Sequence, residues 1–538
     1  MTFANPPLGG PAPKAGAVET ASVLTARYGE SYRWLVTITG MVGIVAMVLA
    51  MTTVNVAVPD VMGAFGIGQD VAQLMSSAYM ATMTAGMLIN AWVVNVLGER
   101  RTFVGALVFF SIGAVLGGMA PNEDVLIFAR VLQGFSAGVA QPLVMATIFM
   151  VFPADRRGTA MGVFGLGVVF APAIGPTMGG MMIEYFSWHY VFFISLPFCL
   201  LAAGMGLLFM PTRALPKTIP PFDWTGFALL CVALFGLMMG IADGQREGWS
   251  SNLIVFRLTL GAVCSVAFVL WELYTPRALL DVRIFANLEF SATALIALIF
   301  GAGMMGSTYV IPVFVQTCVG FTPLHAGLMM MPAGLMLAFI FPVAGRLSDA
   351  IPASFMIMGG LVLFALGFLL MVGADVDTTF WTLVGLIMVS RLGLGFINPS
   401  LNASALKALP ADKVRQGAGI ANFMRQLGGA FGINLIVAFF EVRSRFHADA
   451  LAATQNWSNH TSERLLHQVE QILQRGGLPI EQQKAGALEF LGSMINIQAQ
   501  VLAFSDTFII IAIVSLMALI PAALMSRSQR RARFFSAR

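Results

Sequence analysis

The feature that most constrains this chain is a series of apolar runs, each long enough to cross a lipid bilayer as a helix, joined by short polar links. Crossing the hydrocarbon takes roughly 20 mainly apolar residues, and about fourteen runs meet that length. They lie near 34–58, 71–95, 102–120, 124–150, 158–183, 188–210, 223–243, 253–274, 290–316, 325–347, 355–373, 380–406, 416–440 and 501–525. Inside hydrocarbon every backbone N–H and C=O must be satisfied internally, so such runs fold as a helical bundle. Composition agrees. Of 538 residues, 58% are hydrophobic and only 10% are charged, whereas soluble domains carry about 25% charged residues.

Charge in the links sets the expected orientation. On one side lie Arg100, Arg101, Arg156, Arg157, Arg213, Lys217, Arg277, Arg283, Arg346, Lys407 and Lys413, followed by Arg527, Arg530, Arg531 and Arg533 in the tail. The opposite links carry Asp60, Asp70, Glu123, Asp124, Asp375 and Asp377, with Arg246 as the main basic exception. The positive-inside bias then places both termini in the cytoplasm of a multi-pass inner-membrane protein. The net charge of +4 follows from that topology, and a nucleic-acid partner is not expected. Residues 1–33 read as a Pro/Gly/Ala-rich flexible tail, and 526–538 as a basic tail.

Several chemistries find no support. Cys199, Cys231, Cys264 and Cys318 lie in or beside apolar runs and read as small fillers. The five histidines show no metal-ligand spacing, and no Gly-Lys pair exists to build a phosphate-binding loop. No metal, cofactor or catalytic residue is expected. The lipid bilayer is the one certain surroundings.

The two halves echo each other. "RVLQGF" at 130–135 matches "RLGLGF" at 391–396, the link at Asn95 matches that at Asp349, and "RRG" ending at Gly158 matches "VRQG" ending at Gly417. All three recur at an offset of about 260 residues, the signature of an internal repeat. A six-helix bundle over 34–210 and another over 281–525 would flank two inserted helices in 211–280. Paired repeats around a midplane site are the build of a secondary transporter.

One run resists simple reading. "GLGVVFAPAIGPTMGG" at 165–180 is apolar yet crowded with helix breakers. Gly167, Ala171, Gly175 and Gly179 recur every four residues, a ridge of small side chains that lets membrane helices approach closely. Pro172 and Pro176 free carbonyls that neighbours in a bundle satisfy. Packing alone accounts for such a ridge, and so does a moving seam.

These stretches resemble the major facilitator superfamily, in its fourteen-helix drug:proton antiporter branch of the EmrB/QacA type. "GPTMGG" at 175–180, with Gly162 before it, resembles that branch's fifth-helix antiporter motif, Ala171 standing for one usual glycine. "RVLQGFSAG" at 130–138, with Gly134 and Gly138, is similar to its fourth-helix motif. "TVNVAVP" at 53–59, with Asn55, is similar to the end of its first helix, "WHYVFFISLP" at 188–197 to the start of its sixth, and "NFMRQLGGAFG" at 422–432 to its thirteenth. The resemblance implies two six-helix repeats plus two inserted helices. It also implies secondary active export of amphipathic compounds (drugs, fatty acids or other organic anions) by proton antiport with alternating access. A dedicated organic-anion exporter and a transport-dead sensor are the alternatives.

The chain departs from that pattern in two places. Asn95 stands where the loop between the second and third helices usually has an acid. Its counterpart keeps Asp349 but has Ala350 and Pro352 for an arginine and a glycine. The resemblance assigns this loop a charge latch, here weakened or replaced by a hydrogen bond from Asn95. In the first helix Ala50 occupies the usual aspartate position, at the same depth as Arg130, about 9–14 Å from the helix end at 1.5 Å per residue. An intramembrane arginine marks a pathway by default. Arg130 either serves one or bonds freed carbonyls or snorkels. Gln133 shares its helix face. Arg425 lies about ten residues into its helix and belongs with the pathway, and Arg391 ranks below it. Asp60, Glu184, Asp243, Glu272, Asp349 and Asp506 sit near membrane boundaries, where solvated charge is the simplest expectation.

The segment 441–500 reads as a polar outer loop carrying a helical apolar stripe at Leu465, Leu466, Val469, Ile472 and Leu473. A break and restart follow at "GGLPIEQQ". Related Gram-negative exporters work with a periplasmic adaptor and an outer-membrane channel, so this loop docks an adaptor or forms a lid.

Overall fold

A computed structural model describes residues 20–67, 69–213, 218–275, 278–455 and 459–536. The first six membrane helices are α1 (Tyr32–Phe65), α2 (Gln69–Leu97), α3 (Glu99–Gly118), α4 (Glu123–Val151), α5 (Arg157–Tyr185) and α6 (Leu196–Phe209). The inserted pair is α7 (Trp224–Glu247) and α8 (Asn252–Tyr274). Then come α9 (Leu288–Thr317), α10 (Pro323–Ala350), α11 (Ala353–Met371), α12 (Phe380–Lys407) and α13 (Val414–Ala453). The chain ends with α14 (His460–Arg475), α15 (Ile480–Met517) and α16 (Leu519–Ser536). Among the described residues 13 helical stretches are long and apolar enough to cross a membrane. The 29-residue α5, some of whose side chains lie outside the description, is a further continuous helix, and together they match the apolar runs one for one.

Local chemistry sets the helix starts. Asn122 caps α4 by accepting from Val125 N, with Glu123 and Asp124 in the first turn, where the helix dipole favours negative charge. Asn287, Asp223 and Thr379 cap α9, α7 and α12 in the same way. Pro142, Pro312 and Pro399 sit inside helices, as a bundle core allows.

The repeat is visible in the packing. α1 packs on α5 as α9 does on α13, α2 on α4 as α10 on α12, and α3 on α4 as α11 on α12. Glycine makes these seams close. A Cβ added at Gly138 would lie 2.1 Å from Met83 O on α2, and one at Gly428 would lie 1.9 Å from Leu298 O on α9. Two main apolar cores result. One centres on α1–α6 and takes in Leu230, Leu234 and Phe268 of the inserted pair, and the other lies within α9–α16.

Two expectations need correction. Residues 20–33 are not a flexible tail, because Ala21–Tyr28 is a helix with Leu24 fully buried and Tyr28 edge-on to Phe209. Residues 1–19 lie outside the description. In 441–500 the described residues are helical well beyond the expected stripe and restart. α13 has 40 residues and α15 has 38; at 1.5 Å per residue they are about 60 and 57 Å long, roughly twice the hydrocarbon thickness. Both run out of the membrane on the same side. α14, amphipathic as its stripe requires, packs on α15 with Leu473 against Gly486. The break falls at Gly476–Gly477, and Pro479 opens α15.

Candidate functional site

Arg130 of α4 is completely buried. Its Nε donates to Met75 O at 3.2 Å, and its Nη1 donates to Ala50 O at 3.3 Å and to Gln133 Oε1 at 3.0 Å. The guanidinium carbon lies 4.5 Å above the ring of Tyr79, whose hydroxyl donates to Met47 O. Ala50 and Arg130 therefore face each other as their depths predict, and the arginine straps α1, α2 and α4 together through neutral groups. Arg130 Nη2 and Gln133 Nε2 are buried without a hydrogen-bond partner. Among the described residues no carboxylate pairs with Arg130, so its charge is balanced only by dipoles and the Tyr79 π-face.

The second half repeats the arrangement. Arg391 of α12 donates to Ser307 Oγ of α9 at 3.2 Å, the helix corresponding to α1. Arg425 of α13 donates to Asn422 Oδ1 at 2.6 Å and to Asn398 Oδ1 at 3.4 Å, with Asn402 donating to Asn398 behind it. Asn422 Nδ2 also reaches Met145 Sδ of α4 at 3.0 Å, which ties the asparagine cluster to the first half. Sequence reasoning missed Tyr79, Ser307, Asn398, Asn402 and Asn422. Asn422 was within reach, standing three residues before Arg425 on the same helical face. Asn55 and Pro176 lie on α1 and α5, with side chains outside the described residues.

At the loop end bearing the basic residues, the two halves lock through a pair of repeat-related contacts. Asp349, ending α10, accepts from Gly158 N at 2.6 Å and from Thr159 N and Oγ1 at 2.8 Å, with Lys407 Nζ at 3.9 Å. It caps α5 of the other half, where the dipole reinforces the charge. Glu99, opening α3, meets Arg415 at the start of α13 at 2.5 Å and Arg213 at 4.0 Å. Asn95 Oδ1 accepts from Arg213 at 3.0 Å. An acid does stand near position 95: Glu99, four residues on and across the Gly98 link, with Asn95 beside its partner Arg213. Burial pushes the Arg213 guanidinium below its ordinary pKa, against the pull of Glu99.

The glycines of α5 serve two neighbours. Gly162 faces the other half, where a Cβ would lie 2.4 Å from Phe341 O and 3.0 Å from Gly345 Cα. The Gly167, Ala171, Gly175, Gly179 ridge instead faces α1. A Cβ at Gly175 would lie 2.0 Å from Thr52 Oγ1, one at Gly179 would lie 2.9 Å from Thr53 O, and Gly167 is in ordinary contact with Met41. Ala171 is buried. Gly180 departs from the expectation, since a Cβ there meets nothing within 4 Å. Gly134 and Gly138 face α2, at Tyr79 O and Met83 O. Across the halves, a Cβ at Gly419 would also lie 2.6 Å from Met87 O. At the opposite end, a Cβ at Gly63, Gly320 or Gly327 meets nothing within 4 Å. Close glycine approaches between the halves therefore lie toward the basic-loop end, at Gly158, Gly162 and Gly419.

Three boundary acids are not simply solvated. Asp243 pairs with Arg257 at 2.6 Å, Asp506 accepts from Arg443 at 2.6 Å and lies 2.7 Å from His447 Nε2, and Glu272 is 3% exposed.

Comparison with known proteins places this geometry. The chain is 27% identical to the multidrug export protein EmrB of Haemophilus influenzae, over 86% of this chain and 89% of that one. It is also 27% identical to the fatty acid resistance protein FarB of Neisseria gonorrhoeae, over 78% and 83%, and to the lincomycin resistance protein LmrB of Bacillus subtilis, over 72% and 81%. Its fold matches that of the human organic anion transporter MFSD10, with a TM-score of 0.59 at 14% identity over 90% and 99% of the two chains. The profile of the Major Facilitator Superfamily matches residues 40–433. The paired six-helix repeats and the cross-half locks are thus those of a transporter, and the chain belongs to the Major Facilitator Superfamily.

Proposed function

We propose that the chain is a secondary active exporter of amphipathic compounds across the bacterial inner membrane, working by proton antiport with alternating access and with both termini cytoplasmic. The carrying observation is that Arg130 and Arg391 are buried at corresponding places in the two halves, and Arg425 on the fifth helix of the second half, all against neutral partners. Buried positive charge of this kind favours organic anions such as fatty acids. That charge favours the narrower reading, an exporter of one organic anion. The names of EmrB and FarB support export of amphipathic compounds generally. The extension built from α13, α14 and α15 supports docking of a periplasmic adaptor that leads to an outer-membrane channel.

The test is flux in proteoliposomes under an imposed pH gradient, with a medium-chain fatty acid, a neutral antibiotic and a cationic dye as substrates. Gradient-dependent flux that collapses with a protonophore, fastest for the fatty acid, is expected. Binding without flux for every compound would make the chain a sensor.

A further inference from the structure

Where the inserted pair meets both halves, a crevice of about 450 Å³ opens, lined by Trp92 at the end of α2, Asp223 and Glu272 of the inserted pair, and Asp281, Asp412 and Arg415 of the second half. Arg283 also lines it. Asp223 is fully used, since Oδ1 accepts from Gly226 N at 2.9 Å and both oxygens accept from Trp271 Nε1 at 3.0 Å. Asp281 pairs with Lys413 at 2.8 Å, and Arg415 is taken by Glu99. Glu272 differs. It is 3% exposed, its Oε2 accepts from Leu280 N at 3.1 Å, and its Oε1 is buried with no hydrogen-bond partner.

An unpartnered carboxyl oxygen in a buried position costs free energy unless something fills its place. Gly226 packs closely on both acids, since a Cβ there would lie 2.5 Å from Asp223 Oδ2 and 2.8 Å from Glu272 Oε1. Both acids thus converge on one point. Trp92 supplies a flat aromatic wall, held by its Nε1 bond to Pro220 O at 3.0 Å and by Phe222 edge-on at 4.9 Å. No set of three His, Cys, Asp or Glu side chains that could hold a metal ion occurs among the described residues, so the missing partner is not a chelated metal. A carboxylate beside an indole face suits a cationic nitrogen carried on an apolar or aromatic frame.

We propose that this crevice is a binding site for amphipathic organic cations, separate from the buried arginines Arg130, Arg391 and Arg425, with Glu272 as the charge anchor and Trp92 as the stacking wall. It borders the Glu99–Arg415 contact through Arg415, so its occupant lies beside the lock between the halves. The site does not depend on the transport reading. A chain that binds cations here without driving flux refutes export and leaves this site standing.

The test uses the full chain in detergent micelles, with ethidium as a fluorescent aromatic cation and an azido derivative of it as a photolabel. Glu272→Gln removes one charge-assisted contact and is expected to weaken ethidium binding about tenfold or more. Trp92→Leu is expected to weaken it several-fold, with binding of a fatty acid unchanged in both variants. Ethidium affinity unaltered by Glu272→Gln in a monodisperse sample overturns the proposal. If that variant does not stay monodisperse, the photolabel on the unaltered chain decides. Adducts in the peptides holding Trp92, residues 220–226 or 271–281 support the site, and adducts confined to peptides around Tyr79 and Arg130 overturn it.

Discussion

Arg130 shows how far a single residue can be read before any fold is known. Counting along two helices places it at the level of Ala50, and the Nη1 bond to Ala50 O confirms the pairing. Nothing local to position 130 marks Tyr79 or the Met75 carbonyl as its other partners, because those contacts span 51 and 55 residues and depend on how α2 packs. The fork geometry matters as much as the charge, since Nε and Nη1 bond three acceptors in different directions and a lysine ammonium cannot copy that. Arg130→Lys should therefore keep some anion flux yet destabilise the first half by about 1–3 kcal/mol, read as a drop in the unfolding midpoint. Ala50→Asp sets a carboxylate against the guanidinium and cancels its charge. Flux of anions should fall while that of cations holds or rises. An unchanged anion-to-cation ratio would show that the charge of Arg130 plays no part in selection.

Helix α5 illustrates what an element reveals and conceals. Its four-residue ridge is legible in the sequence, but the ridge's partner is not, since small residues promise close approach without naming the neighbour. The helix in fact divides its glycines between α1 in its own half and α10 in the other. This separates two kinds of failure. At Gly175 a new side chain first meets the Thr52 hydroxyl, so Gly175→Leu should lower the stability of the first half, and adding Thr52→Ala should restore part of it. At Gly162 the obstacle is the Phe341 carbonyl of the opposite half, which no truncation removes. Gly162→Leu should leave each half folded and instead prop the basic-loop end open. Thermal melts and cysteine accessibility at that end tell the two apart, and equal melting losses in both variants would contradict the division. Segment 441–500 failed in the reverse sense. Its polar composition suggested a loop, whereas helices leaving a membrane become polar wherever water replaces lipid; the stripe from Leu465 to Leu473 and the restart at Pro479 marked two helices, but nothing marked how far α13 runs.

At the scale of the whole molecule, the repeat places equivalent devices on the two halves and builds them from different chemistry. An acid beside the third helix of each half grips the start of the fifth helix of the other: Asp349 through the amides and hydroxyl of Gly158 and Thr159, Glu99 through the guanidinium of Arg415. Matching of short motifs found the repeat, yet the second lock was hidden, because Glu99 opens the next helix, four residues past the position the motif leads one to inspect. Both acids are nearly buried, with side-chain exposures of 5% for Glu99 and 12% for Asp349, so each contact is shielded from the screening that weakens surface pairs. Both close the same end, and each exists only while that end is shut. Removing them should therefore raise the population of the alternative state without unfolding either half. Glu99→Gln and Asp349→Asn keep shape and lose charge, each at a cost to the closed state of about 1–3 kcal/mol. Two distant locks add, so the double variant should shift the equilibrium by the product of the single effects. Spin labels at Arg156 and Asp412, one on each half at this end, report the opening as a longer-distance population that grows from each single variant to the double. A distance distribution in the double variant identical to that of the unaltered chain would mean that the glycine seams of α5–α10 and α2–α13 hold this end shut by packing alone.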